Sequence, residues 1–361
     1  MVKNHIDPSI QVIYYLYSVQ YSFMINLSMS IFDRFCGVAF LLYLSERDVE
    51  RILKIGEVIE VVEEAFRALY HGGVILPLRT RVSGRRDSGD ILSMPCIIEG
   101  FNLYTNKIVS VYPKNIEKEL PTIHAVIVAV DSSNGVPLGL IEAGYLTALR
   151  TGAVSGVATK YLSREDAEVL AIIGCGFQAR TQAMGVSEVR EVKKIYAYDI
   201  VAERAEKFAG EMSRKLSVEV EVVNTAREAV EKADVVCTAT TSNTPVLRRE
   251  WLKPGAHVNA IGAYTPDMRE IDTETIIDAK VVVDMKEAAL SEAGDIIIPI
   301  REGRYSEDKI YAELGEIVSG AKPGRTSDEE ITVFKSVGLA LQDNAAVYAL
   351  LKKYLKELSI R

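Results

Sequence analysis

At 361 residues, 48% of them hydrophobic and 25% charged, the chain can bury one or two large cores, which excludes a fibrous or largely disordered protein. The formal net charge of -8 leaves no surplus of Lys and Arg for phosphates, so nucleic acid and anionic membrane surfaces are not expected partners and a small molecule is. Cys36, Cys96, Cys175 and Cys237 are far apart, and His5, His71, His124 and His257 lack ligand spacing; the expectation is no disulfide framework, no metal and a reducing cytoplasm.

Residues 1–41 read as an apolar N-terminal extension. Within it Ile10 to Phe32 carries no charge over 23 positions, a length that could cross a bilayer. Gln11, Ser18, Gln20, Ser22, Asn26, Ser28 and Ser30 dilute it and no small-residue cleavage site follows, so a membrane span is disfavoured. An arm packed on a partner subunit, or residues upstream of the normal start, are the remaining readings.

The folded body begins near Leu42, with Ser45 as the N-cap of a helical region. Val49, Ile52, Leu53, Val58, Ile59, Val62, Ala65, Phe66 and Leu69 suit one or two amphipathic helices that end at His71-Gly72-Gly73. Short β-branched runs then alternate with Gly, Asp, Asn and Pro from Val74 to Val130, a strand-and-turn texture. Asn134-Gly135 supplies the positive φ angles of a hairpin turn. "YLTALRTGAVSGVATKYLS" follows as a helix whose small residues allow close backbone approach.

From Ala167 the pattern becomes strands alternating with helices, which predicts a parallel, doubly wound sheet of roughly 150 residues. After Ser327 the run "DEEITVFKSVGLALQDNAAVYALLKKYLKEL" has a long helical period and predicts a final helix returning to the first part of the chain.

"GCGFQA", Gly174 to Ala179, is the G-x-G-x-x-A form of the dinucleotide turn. Gly174 permits the tight turn, Gly176 lets a pyrophosphate approach the backbone, and Ala179 permits close packing of helix on strand. A structural turn with an incidental acid is the bland alternative. The turn follows a clean strand and opens a helix, however, and Asp199 ends the next strand, where an acid binds ribose hydroxyls. Asp199 would repel a 2′-phosphate and is followed by Ile200 rather than Arg, which favours NAD over NADP.

Four cations stand in settings that favour a carboxylate ligand. Arg79 and Arg81 are two apart on "LPLRTRV" and would share a strand face; Lys107 sits among apolar neighbours, and Arg150 lies in an otherwise almost uncharged helix. Guanidinium groups offer bidentate geometry and lysine a point charge, although internal ion pairs would explain single cases equally well.

"ALRTGAVSGVATKYL", "GCGFQA", "WLKPGAHVNAIGAYTPDMREID", "AELGEIVSGAKPGR" and "TVFKSVGLALQDNAA" resemble, in order, the motifs of the ornithine cyclodeaminase and mu-crystallin family. The resemblance runs from about Leu42 to the last helix. It implies a Rossmann NAD(P)-binding domain over 165–327, inserted in a split α+β substrate-binding and dimerisation domain formed by 42–164 and 328–361, the whole α/β protein being a homodimer. Arg79, or Arg81, would correspond to the arginine that binds the substrate carboxylate, and Lys107 to the lysine beside the reacting carbon. Thr122 and Arg150 match cofactor-side residues, and Arg150 also faces substrate in this reading. Gly174, Gly176, Phe177, Gln178 and Asp199 match the phosphate and ribose site. Thr240, Val258, Asn259, Ala260, Ile261, Ser336 and Val337 match residues leading toward the nicotinamide and the substrate.

One departure bears on the reaction. Cyclodeaminases of this family resemble one another in a G-(G/A)-D-x-P-G-K segment whose aspartate is the acid/base group. This chain reads "GAYTPDM", with Tyr264 in place of that aspartate and Met268 in place of the lysine. A phenol cannot stand in for a carboxylate base at neutral pH. The expectation is therefore an NAD(P)-dependent oxidoreductase of alanine dehydrogenase or pyrroline-2-carboxylate reductase type. It would interconvert a small L-amino acid and its imino or keto acid, or reduce a cyclic ketimine. Lys107 would be catalytic, and Tyr264 either a donor near the imine nitrogen or a pocket wall. Ornithine cyclodeamination to proline and ammonia, and non-enzymatic retention of the cofactor, are the two alternatives.

Overall fold

The computed structural model describes residues 41–84 and 89–360, so Cys36 and the apolar run before it lie outside the described residues. No helix among the described residues is long and apolar enough to cross a membrane.

Ser45 caps helix α1 (Glu46–Ile52) in a reciprocal box with Asp48. Helix α2 (Ile55–Tyr70) follows, burying Val58, Ile59, Val62 and Phe66 along one stripe. The first sheet contains β1 (Leu42–Leu44), β2 (Val74–Ile75), β3 (Thr80–Ser83), β4 (Asp90–Ile98), β5 (Leu103–Val111), β6 (Ile123–Asp131) and β7 (Pro137–Glu142). The strand order is β1-β7-β6-β5-β4-β2, with β3 also on β4; every pairing is antiparallel except β1 with β7. Alternation along β5 sends Leu103, Thr105 and Lys107 inward and Ile108 outward. Gly135, at φ +79, closes the hairpin between β6 and β7.

Helix α3 (Gly144–Leu162) leads out of this sheet and is buried on nearly every face. The second sheet then assembles from β8 (Val169–Ile173), β9 (Lys194–Tyr198), β10 (Glu219–Val222), β11 (Val235–Thr238), β12 (His257–Ala260), β13 (Lys280–Val283), β14 (Ala312–Glu313) and β15 (Thr332–Lys335). All its pairings are parallel, in the order β10-β9-β8-β11-β12-β15-β13-β14. Helices α4 (Phe177–Val189), α5 (Ala202–Leu216) and α6 (Ala226–Lys232) make the crossovers of its first half. Those of the second half include α7 (Thr273–Asp278), α8 (Lys286–Glu292), α9 (Gly294–Arg301) and α10 (Leu314–Val318). This is a Rossmann-type, doubly wound sheet in which strand order reverses between β8 and β11, where such sheets open a ligand crevice.

The closing segment differs from the sequence expectation. Thr332–Lys335 is not helical but is the strand β15, inserted between β12 and β13. Four wholly buried residues in a parallel sheet leave no period of two, so "TVFK" reads as a continuation of the helix beside it. Only after it does α11 (Ala340–Ile360) return to pack on α2, β4 and β5.

Candidate active site

The crevice at the end of β8 is built by backbone. Gly174 has φ +89, and a Cβ there would stand 2.7 Å from Thr240 Cγ2 and 2.9 Å from the Ala239 carbonyl oxygen. Only glycine tolerates both the left-handed angle and that approach. A Cβ on Gly176 would meet nothing within 4 Å, so the backbone opening α4 faces open space. Asp199 lies beside it, accepting the Cys175 amide at 2.8 Å and the Val201 amide at 2.9 Å. Gln178 Oε1 is buried without a hydrogen-bond partner. Open space over helix amides, an adjacent acid and an orphaned polar atom fit a dinucleotide pyrophosphate and ribose. Arg180 supports the turn from below, donating to the Gly176 carbonyl at 2.9 Å while it pairs with Glu211 at 2.5 Å.

Beside the crevice stands a buried cation cluster. Lys107 Nζ lies 2.8 Å from one oxygen of Asp343, and Arg150 Nε lies 2.9 Å from the other. All three side chains are almost fully buried, at 2%, 6% and 1% exposure, and Arg150 also donates to Gln342 Oε1. Burial pulls the Lys107 ammonium down to about 8, against the opposing charge of Asp343. Lys107 shares a sheet face with its cross-strand partner Met94, which lines a small cleft with Leu76, Arg79, Met285, Glu292 and Gly338. Arg150 stands behind that wall: a Cβ on Gly338 would meet its guanidinium at 2.8 Å. Arg79 crosses the cleft to pair with Glu292 and donate to the carbonyls of Val337 and Gly338 at 3.3 and 3.4 Å.

Two acids that sequence reasoning did not single out hold the loops around this site. One oxygen of Asp284 accepts from Ser336 Oγ at 2.8 Å and from the amides of Val337 and Gly338 at 2.9 and 3.0 Å. Glu270 accepts from Thr238 Oγ1, the Thr240 amide and hydroxyl, and the Gly262 amide. Burial and the neighbouring Asp295 push its carboxyl upward. Asp343, Glu292, Asp284 and Glu270 carried no local signal beyond an acid near a helix or strand end.

The structure divides the residues proposed from sequence. Gly174, Gly176, Gln178, Asp199 and Thr240 converge on the crevice, with Phe177 exposed at its edge. Ile261 follows the end of β12, but Val258 is core, and Asn259 turns inward to donate to Thr159 Oγ1 at 2.9 Å, so those two side chains do not line it. Thr122 is at the far end of the first sheet, where its carbonyl accepts from Tyr112. Arg79 and Arg81 do not act as a pair: β3 begins only at Thr80, so Arg79 escapes the strand alternation, whereas Arg81 is more than half exposed on Asp90. Tyr264 is 40% exposed, within electrostatic range of Arg81 and outside the cleft that Arg79 lines. His257 is buried on Thr332 and Asn259 and pushed down to about 3, which leaves it neutral and structural.

A Rossmann-type crevice with an acid beside its glycine turn, set against a cation cluster, defines an NAD(P)-dependent oxidoreductase. The sequence profile of the ornithine cyclodeaminase/mu-crystallin family matches residues 41–357, and the chain belongs to that family. A Delta(1)-pyrroline-2-carboxylate reductase of Bacillus cereus is 41% identical over 321 residues, 89% of this chain and 97% of the relative. A solved Delta(1)-pyrroline-2-carboxylate reductase of Thermococcus litoralis, in complex with NADH and L-proline, superposes with a TM-score of 0.85 at 48% identity, covering 88% of this chain and 98% of that one. An archaeal alanine dehydrogenase dimer with bound NAD superposes at 0.83 with 36% identity, covering 88% and 97%.

Proposed function

We propose that the protein is an NADH-dependent reductase of cyclic ketimine carboxylates, taking Δ1-pyrroline-2-carboxylate to L-proline. The observation that carries this reading is the Lys107–Asp343–Arg150 cluster, two cations on one carboxylate, which leaves a single positive charge against the cleft for a substrate carboxylate. Arg79 would exchange Glu292 for the same carboxylate. Bound NADH supplies a hydride at its nicotinamide C4. The chain's task is to orient the substrate carbon toward it and to deliver one proton to nitrogen. Lys107 is the acid of suitable range. Cyclodeamination is disfavoured by Tyr264 in place of a carboxylate base. NAD is favoured over NADP because Asp199, at the turn, would repel a 2′-phosphate.

A second copy of this chain is the partner that fits the outer face of the first sheet, where Val82, Ile91 and Ile108 are exposed. A relative described as a dimer supports that reading. Sedimentation should give the mass of two chains; a monomer overturns it. The reaction is tested by following nicotinamide absorbance with Δ1-pyrroline-2-carboxylate, with pyruvate plus ammonia, and with ornithine. NADH consumption on the cyclic imine with proline formed is the expected result. Proline and ammonia from ornithine without net change in NADH, or no turnover on any substrate, would refute it.

A further inference from the structure

The cation cluster is joined across the whole chain by one residue. Lys107 comes from β5, Arg150 from α3, and Asp343 from the first turn of α11, 193 residues after Arg150. Each Asp343 oxygen takes one cation, at 2.8 and 2.9 Å, with all three side chains almost fully buried. Removal of a charge from such a site leaves its partners uncompensated. The position at the start of α11 suits an anion, because unpaired amides and the helix dipole concentrate positive potential there.

We propose that Asp343 is the positioning residue of the active site, locking the Lys107 ammonium and the Arg150 guanidinium into one carboxylate-binding, proton-donating array. This rests on the ketimine-reductase reading above. The charged groups facing Lys107 are Asp343 from α11, Arg150 from α3 and Arg79 from the segment before β3; the first favours its protonated form and the two arginines oppose it. Cys96, on β4, also faces Asp343, and burial pushes its thiol up to about 12, so it stays neutral. In the reaction, the C=N electron pair becomes a nitrogen lone pair as hydride reaches carbon, and that nitrogen takes a proton from Lys107, which water reprotonates. Above the pH at which Lys107 loses its proton, reduction slows.

Asp343→Asn tests the proposal. An opposite charge this close moves an amine by about one to three pH units. The alkaline limb of kcat should therefore shift acidward by at least about one unit, and kcat near pH 8 should fall roughly fivefold or more. Asp343→Glu keeps the charge but is one methylene longer. It should retain the wild-type limb while KM for the imine rises at least about fivefold, and it serves as the test should the asparagine variant fail to fold. Calorimetric titration of the NADH-loaded protein with pyrrole-2-carboxylate, from about pH 6 to 10, reads the same limb without turnover. Failure of the wild type to reduce the imine would sink the reaction alone. A binding limb unmoved in folded Asp343→Asn, or wild-type KM and kcat in Asp343→Glu, would sink the positioning role.

Discussion

Where α3 crosses α4, Gly152 decides how close the helix carrying Arg150 comes to the helix that opens at the dinucleotide turn. A Cβ at residue 152 would overlap the carbonyl of Thr181 and stand 2.8 Å from the Thr181 Cβ, inside the 3.0 Å that real Cβ atoms respect. The overlapping atoms belong to the α4 backbone, so no rotamer change relieves them. Alanine would bring about 1 kcal/mol of helix propensity to an otherwise helical site. Overpacking costs about 1–3 kcal/mol, and a backbone clash belongs at the upper end. The clash wins: Gly152→Ala should be less stable by roughly 2 kcal/mol. The helices must also part by about 1 Å, a misplacement that can cost ~100-fold in rate. Urea unfolding with an unchanged m-value reads the first effect, and kcat for imine reduction reads the second. Gly210→Ala is the control, since Gly210 lies exposed in α5 with nothing within 4 Å of its virtual Cβ. It should be stabilised by about 0.5–1 kcal/mol with unaltered kcat. A Gly152→Ala protein as stable as its parent and equally active would refute the packing argument.

Asp284→Ala removes the acceptor that orders three donors at residues 336–338. Loss of even one bond to a charged group is worth about 1.5–3 kcal/mol, so KM for the imine should rise about tenfold or more; a wild-type KM would contradict the assigned role. The buried His257 adds a pH dependence of defined sign. Its folded pKa is about 3 because burial and the Arg325 charge oppose protonation, whereas the unfolded chain protonates it below about 6.5. The unfolded state thus binds more protons, and stability should fall by about 1.4 kcal/mol per unit as pH drops from about 6.5 toward 3. Chemical denaturation across that range should show the stability difference between wild type and His257→Asn shrinking with acid; parallel curves would exclude the histidine as the cause.

The glycine turn at Gly174 and Gly176 was legible because it is local. A strand, two glycines and a helix use consecutive residues, and the acid that completes them sits one strand later, at Asp199. Lys107 and Arg150 also announced themselves, since a cation in an apolar run must have a partner. The partner did not. In "LALQDNAA" Asp343 reads as an ordinary first-turn acid, and only the return of α11 onto β5 makes it the shared counter-ion of two residues from other elements. The choice between Arg79 and Arg81 likewise turned on where β3 starts, which sequence alternation locates only within a residue or two. The strand Thr332–Lys335 was hidden for a related reason: burial on both faces erases the period that distinguishes strand from helix. Sequence by itself determined the family, the glycine turn between β8 and α4 and the cations that needed partners, because each depends on residue type within one short segment. Tertiary structure decided which carboxylate joins those cations and which arginine reaches the cleft, because these are contacts between segments up to two hundred residues or more apart, made by packing rather than by local propensity.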